Sequence, residues 1–216
     1  MEVGFKTDRG LRRSNNEDAC FVMKRDKVFI VADGVGGNNS GEIASRTAVN
    51  EIAGYIETHS LEELKTPEEI KAYFEDCMKA ANFKVLEMSR RFEKNRGMAT
   101  TVVAAYIVRD KLYIVNVGDS RAYILRRGVL TQITEDHTYV NTLLKAGLIS
   151  EKEAKHHVNK NMITRAVGAD YTIDADFFTV PIEKEDIILI CTDGLYGEVG
   201  DSELIRELEK EKSMSE

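Results

Sequence analysis

Proline is scarce in this sequence, with two in 216 residues. That argues against a disordered or linker-rich chain. Cysteine is scarce as well. Cys20, Cys77 and Cys191 are odd in number and far apart, so they make neither a zinc spacing nor a secreted disulfide framework. Cys20 and Cys191 lie in apolar runs, which predicts buried free thiols and a reducing, cytoplasmic setting. The first residues, MEVGFKTDRG, lack an apolar segment and are not expected to be a signal peptide. The longest apolar run, Val102 to Val108, is far short of the ~20 residues of a membrane helix. Positive charge is not in excess. Thirty Lys+Arg face thirty-seven Asp+Glu, a formal charge of −7, so neither nucleic acid nor an anionic membrane is an expected partner. Internal repeats, low-complexity segments and clear domain boundaries are missing too.

What is present has an ordinary globular balance: 43% hydrophobic and 31% charged residues. A chain of this length can bury roughly 70% of the surface its unfolded form exposes, so it suits one domain over residues 1–216. Residues 27–32 are apolar and β-branched and are predicted to stop at Asp33-Gly34. Residues 100–108, 112–117, 122–125 and 187–191 have the same character. Arg109-Asp110 and Arg126-Arg127-Gly128 look like hairpin joins, so part of the sheet is antiparallel.

Residues 42–56 have helical period, with Ile43, Ala44, Ala48, Ile52 and Tyr55 on one stripe and Ser40 as a possible cap. After Thr66-Pro67, a cap and first-turn proline, Ile70, Phe74, Cys77, Met78, Ala81, Val85 and Met88 recur every three or four residues. Shorter helices are expected over 138–146 and 201–212. Two long helices between strand groups, without strict βαβ alternation, favour a sheet sandwich with helices outside.

The acidic residues carry the chemical signal. Asp33, Asp119 and Asp193 each follow an apolar strand, in ADGVGG, VGDSR and TDGL, and Glu17-Asp18 precedes another in RRSNNEDA. A single Asp-Gly is an ordinary turn. Several carboxylates at strand ends are costly unless paired, hydrogen-bonded or metal-bound. If the strand ends meet, the oxygen-only cluster selects Mg²⁺ or Mn²⁺ over zinc.

The stretches TDRGLRRSNNEDA, VADGVGGNNSGEIAS, GMATTVV, VNVGDSRAYILRRG, EDHTYVNTLLKAGLISEKEAKHHVNKNMITRAVG and CTDGLYGEV come in one order. The sequence resembles, on these, the bacterial branch of the type 2C metal-dependent serine/threonine protein phosphatases. The resemblance implies an α+β fold: a four-layer α-β-β-α sandwich of two antiparallel sheets flanked by helices, with a flap near 136–170. It implies hydrolysis of phosphoserine and phosphothreonine in proteins by a water bridging two Mg²⁺ or Mn²⁺ ions. Asp33 matches the aspartate bridging both metals, Gly34 a carbonyl ligand, and Asp193 a ligand of the first metal. Glu17 and Asp18 match the acidic pair around the second metal. Asp119 matches a ligand, with Asp193, of a third and weaker ion. Arg13 matches the arginine that binds the substrate phosphate. A serine/threonine kinase and its phosphorylated substrates are the implied partners.

Two positions depart from the family pattern. Val35 stands where eukaryotic relatives often carry a histidine proposed as general acid. The family's closing strand, introduced by an Asp-Asn pair that completes the first metal's shell, is absent before Glu216. The alternative reading is therefore a pseudophosphatase, binding phosphoprotein at an incomplete metal site. Other residues have blander expectations. His137, His156 and His157 are read as solvated or capping, with flap contact to substrate as the second choice. Met78, Met88 and Met98 are read as core filler. The basic residues at 90, 91, 94 and 96 are read as a solvated helix end.

Overall fold

The structure, a computed structural model, describes residues 1–37 and 40–210. Alternation of apolar and polar residues builds the first strands. β1 (Asp18–Met23) and β2 (Val28–Val35) pair antiparallel, and β2 buries every second side chain. β2 does not stop at Asp33-Gly34 as the turn reading predicted. It runs on to Val35 because Gly34 and Val35 pair with Thr100 and Ala99 of the short β3 (Ala99–Thr100).

α1 (Ser40–Thr58) and α2 (Pro67–Arg91) follow, with the predicted stripes turned inward. Thr66 caps α2 in a full capping box: its side chain accepts from the Glu69 N–H, and the Glu69 carboxylate accepts from the Thr66 N–H. Ser40 is not the cap expected for α1. It lies inside the helix, and its hydroxyl donates to the Gly37 carbonyl at 2.5 Å.

β4 (Val102–Val108) and β5 (Lys111–Val117) form the first predicted hairpin, closed by Arg109-Asp110 with Arg109 at φ 55°. β6 (Arg121–Arg126) and β7 (Val129–Gln132) form the second, where Arg127 and Gly128 both take positive φ, as a tight primed turn requires. Then come α3 (Tyr139–Lys145), α4 (Glu151–His156), β8 (Asp176–Pro181), β9 (Ile187–Cys191), α5 (Asp193–Tyr196) and α6 (Asp201–Leu208). The part of the expected 201–212 helix at 211–212 lies outside the described residues.

One sheet has the order β1-β2-β4-β5-β8, with β3 on β2; the other is β7-β6-β9. Both are antiparallel. One face of the first sheet packs under α1 and α2 through Ile30, Ala48, Ile52, Phe74, Met78 and Val102. Its other face, through Val103, Ala105, Leu112 and Ile114, meets Ala122, Ile188 and Ile190 of the second sheet. The order of layers is thus helices, sheet, sheet, with α6 resting on β7 and burying Leu204. Met78 and Met98 are core filler as expected, and Cys77 and Cys191 are buried. Cys20 is only half-buried, because β1 is an edge strand. A largely apolar cavity of about 350 Å³ lies between residues 1–6, β1 and β9, and Asp18, Asp33, Asp119 and Asp193 are not in its lining. Among the described residues no helix is long and apolar enough to cross a membrane.

Candidate metal centre

Antiparallel register brings the first two carboxylates together: Asp18 on β1 stands directly opposite Asp33 on β2. Asp119 lies in the crossover from β5 to β6, the point where the chain passes from one sheet to the other. Asp193 follows β9, whose Cys191 is paired with Arg121 of β6. The same end of the sandwich therefore collects Asp18, Asp33, Asp119 and Asp193.

Their mutual influence is electrostatic as well as spatial. Burial, then the negative charges of Asp18 and Asp193, push the Asp33 carboxyl up to about 8. Burial and Asp193 raise Asp119 to about 6. Burial also raises Asp18, against a hydrogen bond from Thr192 and the positive charge of Arg13. Asp33 lies close enough to Asp18 and Asp193 for each to act on its ionisation. Among the described residues no three His, Cys, Asp or Glu side chains already stand in a chelating group.

The other expected site residues take separate positions. Glu17 offers its carbonyl to the Gly34 N–H at 3.0 Å and to the Ser45 hydroxyl at 2.6 Å. Gly34 is a glycine for a packing reason: a Cβ there would stand 1.9 Å from the Gly41 carbonyl oxygen of α1. Arg13 is exposed, in the loop before β1, near enough for its charge to act on Asp18. Val35 is partly exposed at the end of β2.

Several residues that sequence reading passed over hold this arrangement. The Asp33 N–H donates to Thr101 Oγ1 at 2.9 Å, and the Thr101 N–H donates back to the Asp33 carbonyl. Thr101 Oγ1 also lies 2.6 Å from Ser120 Oγ, which links the Asp33 strand to the Asp119 turn. Thr192 Oγ1 donates to Asp18 Oδ2 at 2.9 Å, joining the second sheet to the first. Tyr196 donates its hydroxyl to the Asp119 carbonyl at 2.8 Å. The Arg121 guanidinium stacks 3.6 Å from the Tyr196 ring and grips Asp136 with two hydrogen bonds.

His137 is the clearest correction. It is 7% exposed, neither solvated nor a cap. Its backbone N–H donates to the Gly118 carbonyl, and the Gly118 N–H donates to its Nδ1 at 3.1 Å. That makes Nδ1 the acceptor and leaves Nε2 to donate to Asp176, 3.1 Å away. Although burial opposes it, His137 and then Arg165 hold the Asp176 carboxyl below the usual range. Residues 136–170 form the expected excursion beside the site, tied back by bridges Thr138–Ile163 and Thr100–Val167. His156 is exposed and His157 caps α4, as expected.

The protein phosphatase 2C family profile matches residues 10–215. The chain belongs to that family. It is 38% identical over 220 residues to the serine/threonine phosphatase stp of Listeria monocytogenes serotype 4b, covering all of this chain and 86% of that protein. Among solved structures it is similar to the serine/threonine phosphatase of S. agalactiae, with TM-score 0.89 and 32% identity over 97% of this chain and 86% of that one. The catalytic domain of the phosphatase PstP, solved with two manganese ions, matches with TM-score 0.83 and 30% identity, covering 97% of this chain and 84% of that one. This phosphatase is therefore a serine/threonine protein phosphatase of the metal-dependent 2C type, with the two-sheet sandwich of its relatives. The relatives support the catalytic reading and lend nothing to the pseudophosphatase alternative.

The acidic end of the sandwich suits divalent cations. Its donors are oxygens only, and the four carboxylates have little countercharge of their own. Hard ions such as Mg²⁺ and Mn²⁺ match that donor set.

Proposed function

We propose that Asp33 is the shared ligand of two divalent cations, Mg²⁺ or Mn²⁺, in a site that hydrolyses phosphoserine and phosphothreonine. Asp193 completes the first cation's carboxylates. Glu17, Asp18 and the Gly34 carbonyl serve the second, and Asp119 with Asp193 takes a third, weaker ion. The cations supply Lewis acidity toward the phosphoryl oxygens and toward water. Arg13 binds the substrate phosphate, since its planar fork meets two phosphoryl oxygens at once. Thr101, Ser120, Thr192 and Tyr196 hold the carboxylates in place. Cys191, sealed at a strand end with its thiol pushed by burial to about 12, is not a nucleophile. A phosphorylated protein, with the kinase that modifies it, is the expected partner, and buried free thiols fit a reducing cytoplasm.

The observation that carries this reading is the direct opposition of Asp18 and Asp33 beside Asp119 and Asp193, with Asp33 raised to about 8 by burial and their charges. The test is phosphate release from a phosphothreonine peptide with Mn²⁺. Chelation should abolish it, and Asp33→Asn should lower kcat/KM at least ~100-fold while calorimetry shows Mn²⁺ binding lost. Undiminished turnover in Asp33→Asn would sink the assignment.

A further inference from the structure

Arg90 and Arg91 end α2, and Arg96 follows one short turn later. All three are exposed and line an open cleft of about 760 Å³. Residues Ala99, Gly168 and Ala169 contribute to its wall. In this acidic chain six of the fourteen arginines, Arg46, Arg121, Arg126, Arg127, Arg165 and Arg206, each pair with a carboxylate. Among the described residues none of the three cleft arginines does. Glu93 lines the same cleft without pairing to them. Arg90 is held over the Tyr171 ring, 4.0 Å from its centroid, so its charge has a set position.

The cleft adjoins the metal centre through β3. Ala99 pairs with Val35, two residues along β2 from Asp33. Strand spacing and rise then put Ala99 roughly 8 Å from Asp33. An extended polypeptide advances about 3.3 Å per residue, so groups two to four residues apart span about 7–13 Å. Three guanidinium charges against one carboxylate leave a surplus of two. A phosphoryl group carries about −1.5 to −2 and accepts from forked guanidinium donors.

We propose that this arginine cleft binds a second phosphoryl group, carried two to four residues from the one being hydrolysed on the same substrate segment. The inference rests on the phosphatase reading and adds its substrate class: multiply phosphorylated segments. Arg90, Arg91, Lys94 and Arg96 are all exposed, as a solvated helix end requires, and Lys94 is not part of the cleft lining.

The experiment uses the Mn²⁺-loaded enzyme and phosphothreonine peptides. A second position, two to four residues away on either side, carries alanine, glutamate or a non-hydrolysable phosphonate analogue of phosphothreonine. At the best spacing the phosphonate peptide should show a KM about tenfold below the alanine peptide, with glutamate close to alanine. In Arg91→Gln/Arg96→Gln the ratio of those two KM values should fall to about one, and Arg91→Lys/Arg96→Lys should recover part of it. Melting curves for both double variants establish that they are folded. Equal KM values in the wild type at every spacing would overturn the proposal, as would a tenfold ratio surviving in the glutamine variant. Glutamate matching the phosphonate would overturn the choice of phosphate. Absence of turnover with every peptide would instead count against the phosphatase reading.

Discussion

Around Asp119 the positioning falls to residues that are not themselves expected ligands. His137 clasps Gly118 from both sides and donates its Nε2–H to Asp176, so the turn that presents Asp119 depends on one imidazole. Replacing it strands the buried Gly118 N–H, worth about 1–3 kcal/mol when left unsatisfied, while Asp176 keeps its ion pair with Arg165. His137→Ala should therefore lose about 1–3 kcal/mol of stability by denaturant titration. It should also lower kcat about tenfold with KM for a phosphopeptide nearly unchanged, because the loosened group is a proposed third-ion ligand and not a substrate contact. A kcat equal to wild type would leave His137 a structural residue only. No periodic pattern signals this burial, since His137 lies in a polar stretch and is enclosed by the packing of the flap against the end of β5.

Helix and strand ends explain where the carboxylates stand. Gly34 lets β2 continue past Asp33 while the first turn of α1 rests on it, with Gly41 packed against Gly34. Gly34→Ala puts a methyl group into backbone that no side-chain rotation can relieve. A cost of about 3 kcal/mol, the upper end for overpacking, is expected by thermal or chemical unfolding, together with weakened Mn²⁺ binding at Asp33. A stable Gly34→Ala protein with wild-type metal affinity would show that the helix can retreat freely. At α2 the effect is smaller and purely local. Thr66→Ala removes one half of the capping box and should cost about 1 kcal/mol without changing kcat/KM. A loss of activity there would mean that α2 carries more than the core.

For the whole molecule, the acidic end makes stability depend on pH and metal together. Unfolded, Asp33 ionises near its ordinary 3.8; folded without metal it keeps its proton to about 8. Across that window the folded state binds more protons, so metal-free stability falls as pH rises through it. Asp119, raised to about 6, acts in the same direction over the lower part of the window. The metal-free protein should melt at a lower temperature at pH 8 than at pH 6. Mn²⁺ should raise the pH 8 value most, because the cation replaces the proton as countercharge. Asp33→Asn should flatten the metal-free pH dependence. A metal-free melting temperature that holds steady or rises from pH 6 to pH 8 would contradict the packing of these carboxylates.

Local pattern alone was enough for α1, α2, the two hairpins and the acidic residues at strand ends, because each rests on short-range physics: helical period, a capping box, a primed turn, alternation. The short β3, and β8 with its mixed polar pattern, lie beyond that reach, since they are strands only by virtue of the neighbours they pair with. Asp33 looked like a turn residue because Asp-Gly usually is one; pairing of Gly34 with Thr100, 66 positions away in the chain, made it a strand residue. Which carboxylates face one another was likewise decided by register and by the stacking of two sheets. Burial and repulsion among Asp18, Asp33, Asp119 and Asp193 arise only when long-range pairing brings their strands to one end, and no stretch of sequence contains that proximity.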